Sequence, residues 1–149
     1  MRETITAALK DATKAQDKRR VSTLRLVSAA IKDRDIAART VGKTQATDAE
    51  LLELFAKMIK QREESQKIYA DAGRAELAKQ ESEEIEIIRE FLPKQLSDKE
   101  MEKAIASATA ESNATSVKDM GKVMAALKAR YAGQMDFAKA SALVKAKLG

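Results

Sequence analysis

The residues best suited to chemistry in this sequence are glutamates crowded between positions 81 and 90. They are Glu81, Glu83, Glu84, Glu86 and Glu90. Carboxylates on neighbouring helices can hold two metal ions in helical bundles, but those sites also place a histidine three residues after a glutamate, and this chain has no histidine. We therefore interpret the glutamates as a solvated acidic face balanced by Lys79 and Arg89, and we expect no metal and no cofactor.

Three absent residue types narrow the possible chemistry further. Histidine, cysteine and tryptophan do not occur in the 149 residues. Their absence excludes disulfides, thiolate or imidazole metal sites, and nucleophiles activated as Ser–His or Cys–His pairs. No apolar run approaches the roughly 18 residues of a membrane span, and the first residues lack the apolar core of a secretory signal. We expect a soluble, cytoplasmic protein with no membrane partner.

Positive charge is concentrated at the two ends of the sequence. Residues 1–40 hold 10 basic and 5 acidic residues, residues 41–93 hold 8 and 12, and residues 94–149 hold 10 and 6. A polyanionic partner would be attracted to the ends. Charge asymmetry of this size also occurs in proteins that bind no nucleic acid, so a second kind of evidence is needed.

Further evidence for a polyanionic partner comes from cations that repeat every seven residues in the second predicted helix. Asp17 caps this helix, which runs to about Ala38. We name this set the basic ridge: Lys18, Arg25, Lys32 and Arg39. A spacing of seven at 3.6 residues per turn keeps the side chains on one slowly drifting face. They either form a solvated face whose stems cover neighbouring side chains, or bind nucleic acid through the first three.

A second candidate surface lies in the sixth predicted helix, which runs from about Val117 to Tyr131. We name its row of small side chains the small-residue strip: Gly121, Ala125 and Ala129, with Lys118 and Lys122 beside it. A glycine inside a helix costs roughly 1 kcal/mol relative to alanine, so something close should fill the space. The sequence slightly favours the backbone of another helix there, and a sugar-phosphate backbone is the alternative.

Seven helices are predicted from apolar periodicity and capping signals, with no strand. Capping boxes at Thr47 with Glu50 and at Ser97 with Glu100 begin the third and fifth helices. The only proline, Pro93, should end the fourth helix at about Leu92 and act as a hinge that restricts the orientation of two regions. The predicted fold is therefore all-α, with an N-terminal helical bundle (residues 1–93) and a small C-terminal three-helix domain (residues 94–149).

Finer expectations concern the apolar stripes of two helices. The second helix carries a core stripe and a second apolar strip at Leu26 and Ala30, which predicts that it is central. The sixth helix should begin at a Ser116 cap paired with Asp119. Its predicted core stripe is Val117, Met120, Met124, Leu127 and Tyr131.

Three segments resemble the YqeY family of small bacterial proteins that share the GatB/YqeY domain. They are VSTLRLVSAAIKDRDI (21–36), EIEIIREFLPKQLSDKE (84–100) and DMGKVMAALKARYAGQMDFAKASALVKAKL (119–148). The last segment is also similar to the tail domain of the B subunit of the tRNA-dependent amidotransferase. The resemblance implies a two-part all-α protein whose C-terminal module contacts tRNA, and it implies an aminoacyl-tRNA synthetase or an amidotransferase as a protein partner.

Single residues match the tail motif. Residues 121–124, Gly-Lys-Val-Met, match its G-x-V-M core, and Gly133 with Asp136 match the turn that opens the last helix. Ala125 stands where tails often carry a second glycine, and Phe137 stands where a small residue is common. Both departures would crowd the small-residue strip slightly.

The function implied by the resemblance is tRNA binding in support of amidation or aminoacylation. In the amidotransferase the catalytic parts are an amidase subunit and a kinase-like core, neither of which resembles this sequence. A label of carbon–nitrogen ligase with glutamine as amido-N-donor would thus be inherited from a neighbour. A helical protein-interaction module and a ligase of that kind remain the alternatives to a non-catalytic tRNA-binding module.

Overall fold

A computed structural model describes all 149 residues and contains only helices, which confirms the predicted all-α class. The seven α-helices are α1 (Arg2–Lys14), α2 (Lys18–Thr40), α3 (Asp48–Asp71), α4 (Ala75–Arg89), α5 (Asp98–Glu111), α6 (Met120–Tyr131) and α7 (Phe137–Leu148). A short 3₁₀ turn, Val117–Asp119, precedes α6. Contacts group the helices into two compact units, Met1–Leu92 and Pro93–Gly149. The hinge role of Pro93 stays a prediction.

The helix starts follow the capping residues in the sequence. The Asp17 carboxylate accepts a hydrogen bond from the backbone amide of Arg20 at 3.1 Å and so caps α2. Capping boxes are formed at Thr47 with Glu50 and at Ser97 with Glu100, which confirms both predictions. Each cap satisfies amides that the first turn of a helix leaves without partners.

The end of α4 lies before the predicted position. The α-helix stops at Arg89, and the chain then turns through two i to i−3 hydrogen bonds, from the Phe91 amide to Ile88 and from the Leu92 amide to Arg89. Such bonds tighten a last turn. A proline cannot donate a hydrogen bond to the carbonyl four residues earlier, and its ring would clash with that group, which here belongs to Arg89, the last residue of α4.

The segment after Pro93 is held within the second unit. The Leu96 amide donates to the Gln134 carbonyl at 2.8 Å, and the Gln95 side-chain amide donates to the Gly133 carbonyl. Leu96 also packs against the apolar core of that unit. Residues 95 and 96 are therefore anchored to the second unit by hydrogen bonds.

The first unit has an apolar core shared by α1 to α4, and α2 contacts the other three helices. Its most buried members are Ile5, Leu24, Val27, Leu51, Phe55 and Ile88. The predicted second apolar strip of α2 is half wrong. Ala30 packs against the core, whereas Leu26 is 48% exposed because α1, α3 and α4 leave that side of α2 uncovered.

The second unit has its own core, formed by α5, α6 and α7. Val123 and Leu127 are fully buried in it, whereas Val117 is 41% exposed, so the predicted core stripe of the sixth helix was wrong at Val117 and missed Val123. Both errors have a physical cause. Val117 lies in the 3₁₀ turn, outside the α-helical phase, and α6 contacts both α5 and α7, so its buried face is wider than one stripe.

The predicted N-cap pair of Ser116 and Asp119 is only half formed: Ser116 precedes the 3₁₀ turn, and a hydrogen bond from its backbone helps to lower the pKa of Asp119. The side chain of Ser116 makes no capping hydrogen bond. Instead, the Asp119 carboxylate accepts a hydrogen bond from the Thr115 amide at 3.0 Å and closes the turn from its other end.

A polar clasp closes the first unit at the start of α1. The Arg2 guanidinium donates to both carboxylate oxygens of Asp35, each at 2.8 Å, and to the Ala46 carbonyl at 2.7 Å. Asp35 also accepts from the Ala46 amide at 2.9 Å. One carboxylate thus connects α1, α2 and the loop before α3.

We expect this clasp to make stability fall in acid. The Ala46 amide first, with Arg2 adding to it, holds the pKa of Asp35 below its usual value, and similar contacts lower the pKa values of Glu50, Glu100, Glu111 and Asp119. Folded-state pKa values below the unfolded ones stabilise the fold above about pH 4, and that stability is lost as the pH falls through the folded values. Thermal unfolding followed by circular dichroism should give a Tm that is flat from about pH 6 to pH 9, since the chain has no histidine and its lysines titrate at higher pH.

The matched control is Asp35→Asn. This variant should have a lower Tm than the wild type at pH 7, and the difference should shrink as the pH falls from about 4 to 3, because the unfolded wild type then takes up a proton at Asp35 more readily than the folded protein does. A difference that stays constant from pH 7 to pH 3 would contradict the role given to the Asp35 charge.

Candidate nucleic-acid interface

The small-residue strip of α6 faces outward. Gly121, Ala125 and Ala129 are all exposed, while Val123 and Leu127 on the other side of the helix are buried against α5 and α7. A methyl group placed on Gly121 would meet no atom within 4 Å. The favoured interpretation, in which the backbone of another helix packs on this glycine, is therefore wrong for this chain. The space beside Gly121 is open.

Cationic side chains border this open strip. Lys118 and Lys122 are exposed, and neither forms an ion pair. The amide of Thr115 is the main cause of the lowered pKa of Asp119, and Lys122 adds a smaller electrostatic contribution. Asp119 therefore offsets part of the positive charge at this end of the strip.

Lys128 also borders the small-residue strip, and the sequence analysis did not identify it. This residue is exposed and without an ion pair, and it follows Gly121 by seven residues and Ala125 by three. Those spacings place it along the edge of the strip opposite Lys122 on the helical wheel. These spacings are visible in the sequence, so helical periodicity could have identified Lys128. The strip thus has a lysine on each side.

The basic ridge lies on α2, in the first unit. Its four members, Lys18, Arg25, Lys32 and Arg39, are exposed along the side of α2 opposite its buried residues, and none forms an ion pair. Two neighbouring arginines of α2 do form ion pairs. Arg19 donates to Glu83 at 3.1 Å, and Arg20 donates to Glu90. The arginines that face α4 are neutralised there, and the outward cations of α2 are not.

Glutamates in and just after α4 form ion pairs with arginines. Glu83 and Glu90 bind the two α2 arginines, and Glu86 accepts from Arg89 at 2.8 Å within α4. The predicted partner Lys79 forms no ion pair. The acidic face was therefore only partly predicted, because arginines on α2 replace the expected lysine.

Glu84 departs most from the expected solvated face. It is 6% exposed, and its carboxylate accepts from the Arg62 Nε at 3.2 Å and from the Gln80 side-chain amide at 3.4 Å. Arg62 also donates to the Met58 carbonyl at 3.1 Å. Burial, with the nearby Glu84 charge adding to it, raises the pKa of Glu81. This cluster connects α3 to α4 inside the first unit.

Two findings for the whole chain concern metal binding and membrane spans. No three acidic side chains converge in a way that could hold a metal ion. None of the seven helices combines the length and the apolar character needed to cross a bilayer.

Comparison with known proteins is consistent with the resemblance carried by the three sequence segments. No curated protein matches the sequence. A family model, YqeY, described as Yqey-like protein, matches residues 2–148 and therefore nearly the whole chain. On that match, the chain belongs to the Yqey-like protein family.

Proposed function

We propose that this chain is a non-catalytic helical module that binds tRNA and is accessory to tRNA-dependent amidation or aminoacylation. The protein partner would be an aminoacyl-tRNA synthetase or an amidotransferase. The observation that supports this proposal best is the open space beside Gly121 on an exposed helix face with lysines on both sides. A helix with that face admits a close neighbour from outside the chain.

A sugar-phosphate backbone fits such a face. Glycine and alanine side chains leave the helix surface low, so a rigid and bulky backbone can approach it closely. Lys118, Lys122 and Lys128 can then reach phosphate oxygens as flexible point charges. Contacts of this kind depend on the path of the phosphates and therefore on the shape of the RNA more than on its sequence.

The aromatic residues support recognition through phosphates. The chain has no tryptophan, three phenylalanines and two tyrosines. Phe55 is fully buried, and the other four aromatic side chains are partly buried. Binding of unpaired bases commonly relies on stacking against exposed aromatic rings. We therefore assign most of the binding energy to lysine and arginine contacts.

A specific observation favours one other candidate function, a helical protein-interaction module. Leu26 and Ile36 on α2 are 48% and 51% exposed, and both could bury apolar area against a protein. Binding of that kind would depend weakly on salt. Binding of RNA through phosphates releases counterions and falls steeply as salt is added.

The purified chain is expected to have no glutaminase or ligase activity. It contains no cysteine or histidine nucleophile or base, and its most buried carboxylate, Glu84, is held by Arg62. Ammonia release from glutamine should equal the buffer blank, with and without ATP and tRNA. Release above the blank that a single substitution in this chain abolishes would overturn the non-catalytic assignment.

Competition between RNAs tests the proposed function. Labelled tRNA bound to the full chain should be displaced by unlabelled tRNA at a lower concentration than by a hairpin RNA of equal length. Both competitors carry the same charge, so a difference reports recognition of shape. Equal displacement by the two RNAs would show non-specific polyanion binding and contradict the proposal.

A further inference from the structure

A surface hollow of about 440 Å³ lies where α1 turns into α2. Thr13, Gln16, Lys18, Val21, Ser22 and Arg25 line it. Gln16 forms part of its rim with a φ of +55°, a conformation that residues other than glycine adopt rarely. This conformation ends α1: the Gln16 amide donates to the Thr13 carbonyl at 3.2 Å and the Asp17 amide donates to the Ala12 carbonyl at 3.1 Å, the pattern of a helix C-terminal cap.

The charge of the hollow is entirely positive. Lys18 and Arg25 line it without an ion pair, and no acidic side chain does so. The adjacent Arg19 and Arg20 are turned to the glutamates of α4 and are neutralised there. The two cations that remain available therefore converge on one concave site, which favours an anionic ligand.

Besides its two cations, the hollow offers uncharged hydrogen-bonding groups on side chains that are exposed to water. The Thr13 hydroxyl donates to the Leu9 carbonyl at 2.7 Å, and the Ser22 hydroxyl donates to the Arg19 carbonyl at 3.0 Å. Both hydroxyl oxygens keep acceptor capacity, and the Gln16 amide can donate and accept. A ligand that carries hydrogen-bond donors as well as negative charge could bond to these groups in place of water.

Size and apolar surface point to a nucleotide. A volume of about 440 Å³ greatly exceeds that of a phosphate ion and falls in the range of sites for small organic ligands. Val21 supplies apolar surface, and the planar Arg25 guanidinium can stack on a base while Lys18 binds the phosphate. We propose that the hollow binds one nucleotide of a bound RNA, an inference that rests on the proposed tRNA-binding function.

The test uses amide signals of the ¹⁵N-labelled full chain in two-dimensional NMR spectra. The probe is a 5′-phosphorylated tetra-adenylate, with AMP and inorganic phosphate as separate titrations. The tetra-adenylate should shift the amides of Gln16 and Ser22. In the Lys18→Ala/Arg25→Ala variant its affinity should fall at least about tenfold, because phosphate and stacking contacts are both lost.

The control is Lys67→Ala, which removes an exposed lysine without an ion pair from α3. Alanine suits the helix positions of all three residues, so the variants should fold as the wild type does. The control should bind the tetra-adenylate with unchanged affinity. Equal weakening in the control would overturn the proposal, because it would show a general loss of charge.

Further outcomes separate the ligand sources. If inorganic phosphate shifts the same amides to the same extent at equal concentration, the nucleotide assignment is wrong. If AMP saturates them at a lower concentration than tetra-adenylate, the hollow is a free-nucleotide site and the RNA assignment is wrong. If tRNA binds without shifting the amides of Gln16 and Ser22, only the assignment of the hollow is wrong. If tetra-adenylate shifts these amides but tRNA does not bind, the proposed function is wrong.

Discussion

Replacing Glu84 with alanine is expected to lower the free energy of unfolding by about 3–5 kcal/mol. The side chains of Glu84 and Arg62 are only 8% and 16% exposed, and they are joined at 3.2 Å. Without the carboxylate, the guanidinium would stay largely buried without its hydrogen-bonded counter-charge, and of the acidic groups only Glu81 would still interact with it electrostatically. The Gln80 amide would lose a partner as well. A loss of this size is a large fraction of the stability of a small protein.

The matched control is Glu86→Ala on the same helix. Glu86 also pairs with an arginine, Arg89, but its side chain is 68% exposed, so its loss should cost less than about 1 kcal/mol. Urea unfolding followed by circular dichroism measures both variants. Equal effects of Glu84→Ala and Glu86→Ala would contradict the buried role of Glu84.

A double variant, Arg62→Met/Glu84→Leu, separates the cost of an unpaired charge from the net value of the pair. Replacing both partners of a buried ion pair with apolar residues of similar volume is often neutral or stabilising. The double variant should therefore be much closer to the wild type than Glu84→Ala is. A double variant that is less stable than Glu84→Ala would show that the pair is worth more than its burial costs.

Local features of the fold could be predicted from the sequence, because local chemistry determines them. The Asp17 cap and the two capping boxes depend on residues within one turn of each other. The predictions failed where distant residues decide the outcome. Leu26 is exposed because no helix covers that side of α2, and Glu84 is buried because Arg62, 22 positions earlier, lies against it.

In the candidate surfaces, too, local features could be predicted from the sequence, whereas features that depend on distant residues could not. Helical periodicity places Lys122 and the small-residue strip on one side of α6, and periodicity alone could also have found Lys128, whereas Lys118 lies in the 3₁₀ turn before the helix. The sequence could not show whether another helix covers Gly121, because that depends on how α5 and α7 pack. Nor could it show the hollow beside Lys18, which requires the turn between α1 and α2.

The second large effect concerns RNA binding at the small-residue strip. Lys122→Glu should weaken tRNA affinity about tenfold at low salt for all tRNAs alike, because one phosphate contact is replaced by repulsion. Lys103→Glu makes the same change of charge on α5, at an exposed position away from the strip, and should have a much smaller effect. Equal weakening in the two variants would show that only net charge matters.

Gly121→Leu tests the same surface without changing charge. Because the space beside Gly121 is open, the leucine should not overpack the fold, and replacing a helical glycine should raise the Tm slightly. The bulk should nevertheless weaken tRNA binding by preventing close approach of the backbone. A variant with a raised Tm and wild-type tRNA affinity would exclude Gly121 from the interface.

The salt dependence of tRNA affinity, measured by fluorescence anisotropy from about 50 to 200 mM potassium chloride, tests tRNA binding through phosphates most directly. For the wild type, the logarithm of the association constant should fall linearly and steeply with the logarithm of salt concentration. For Lys122→Glu, the slope should be shallower by about one. A wild-type affinity that does not change with salt, or a slope that Lys122→Glu leaves unchanged, would contradict phosphate recognition at the small-residue strip.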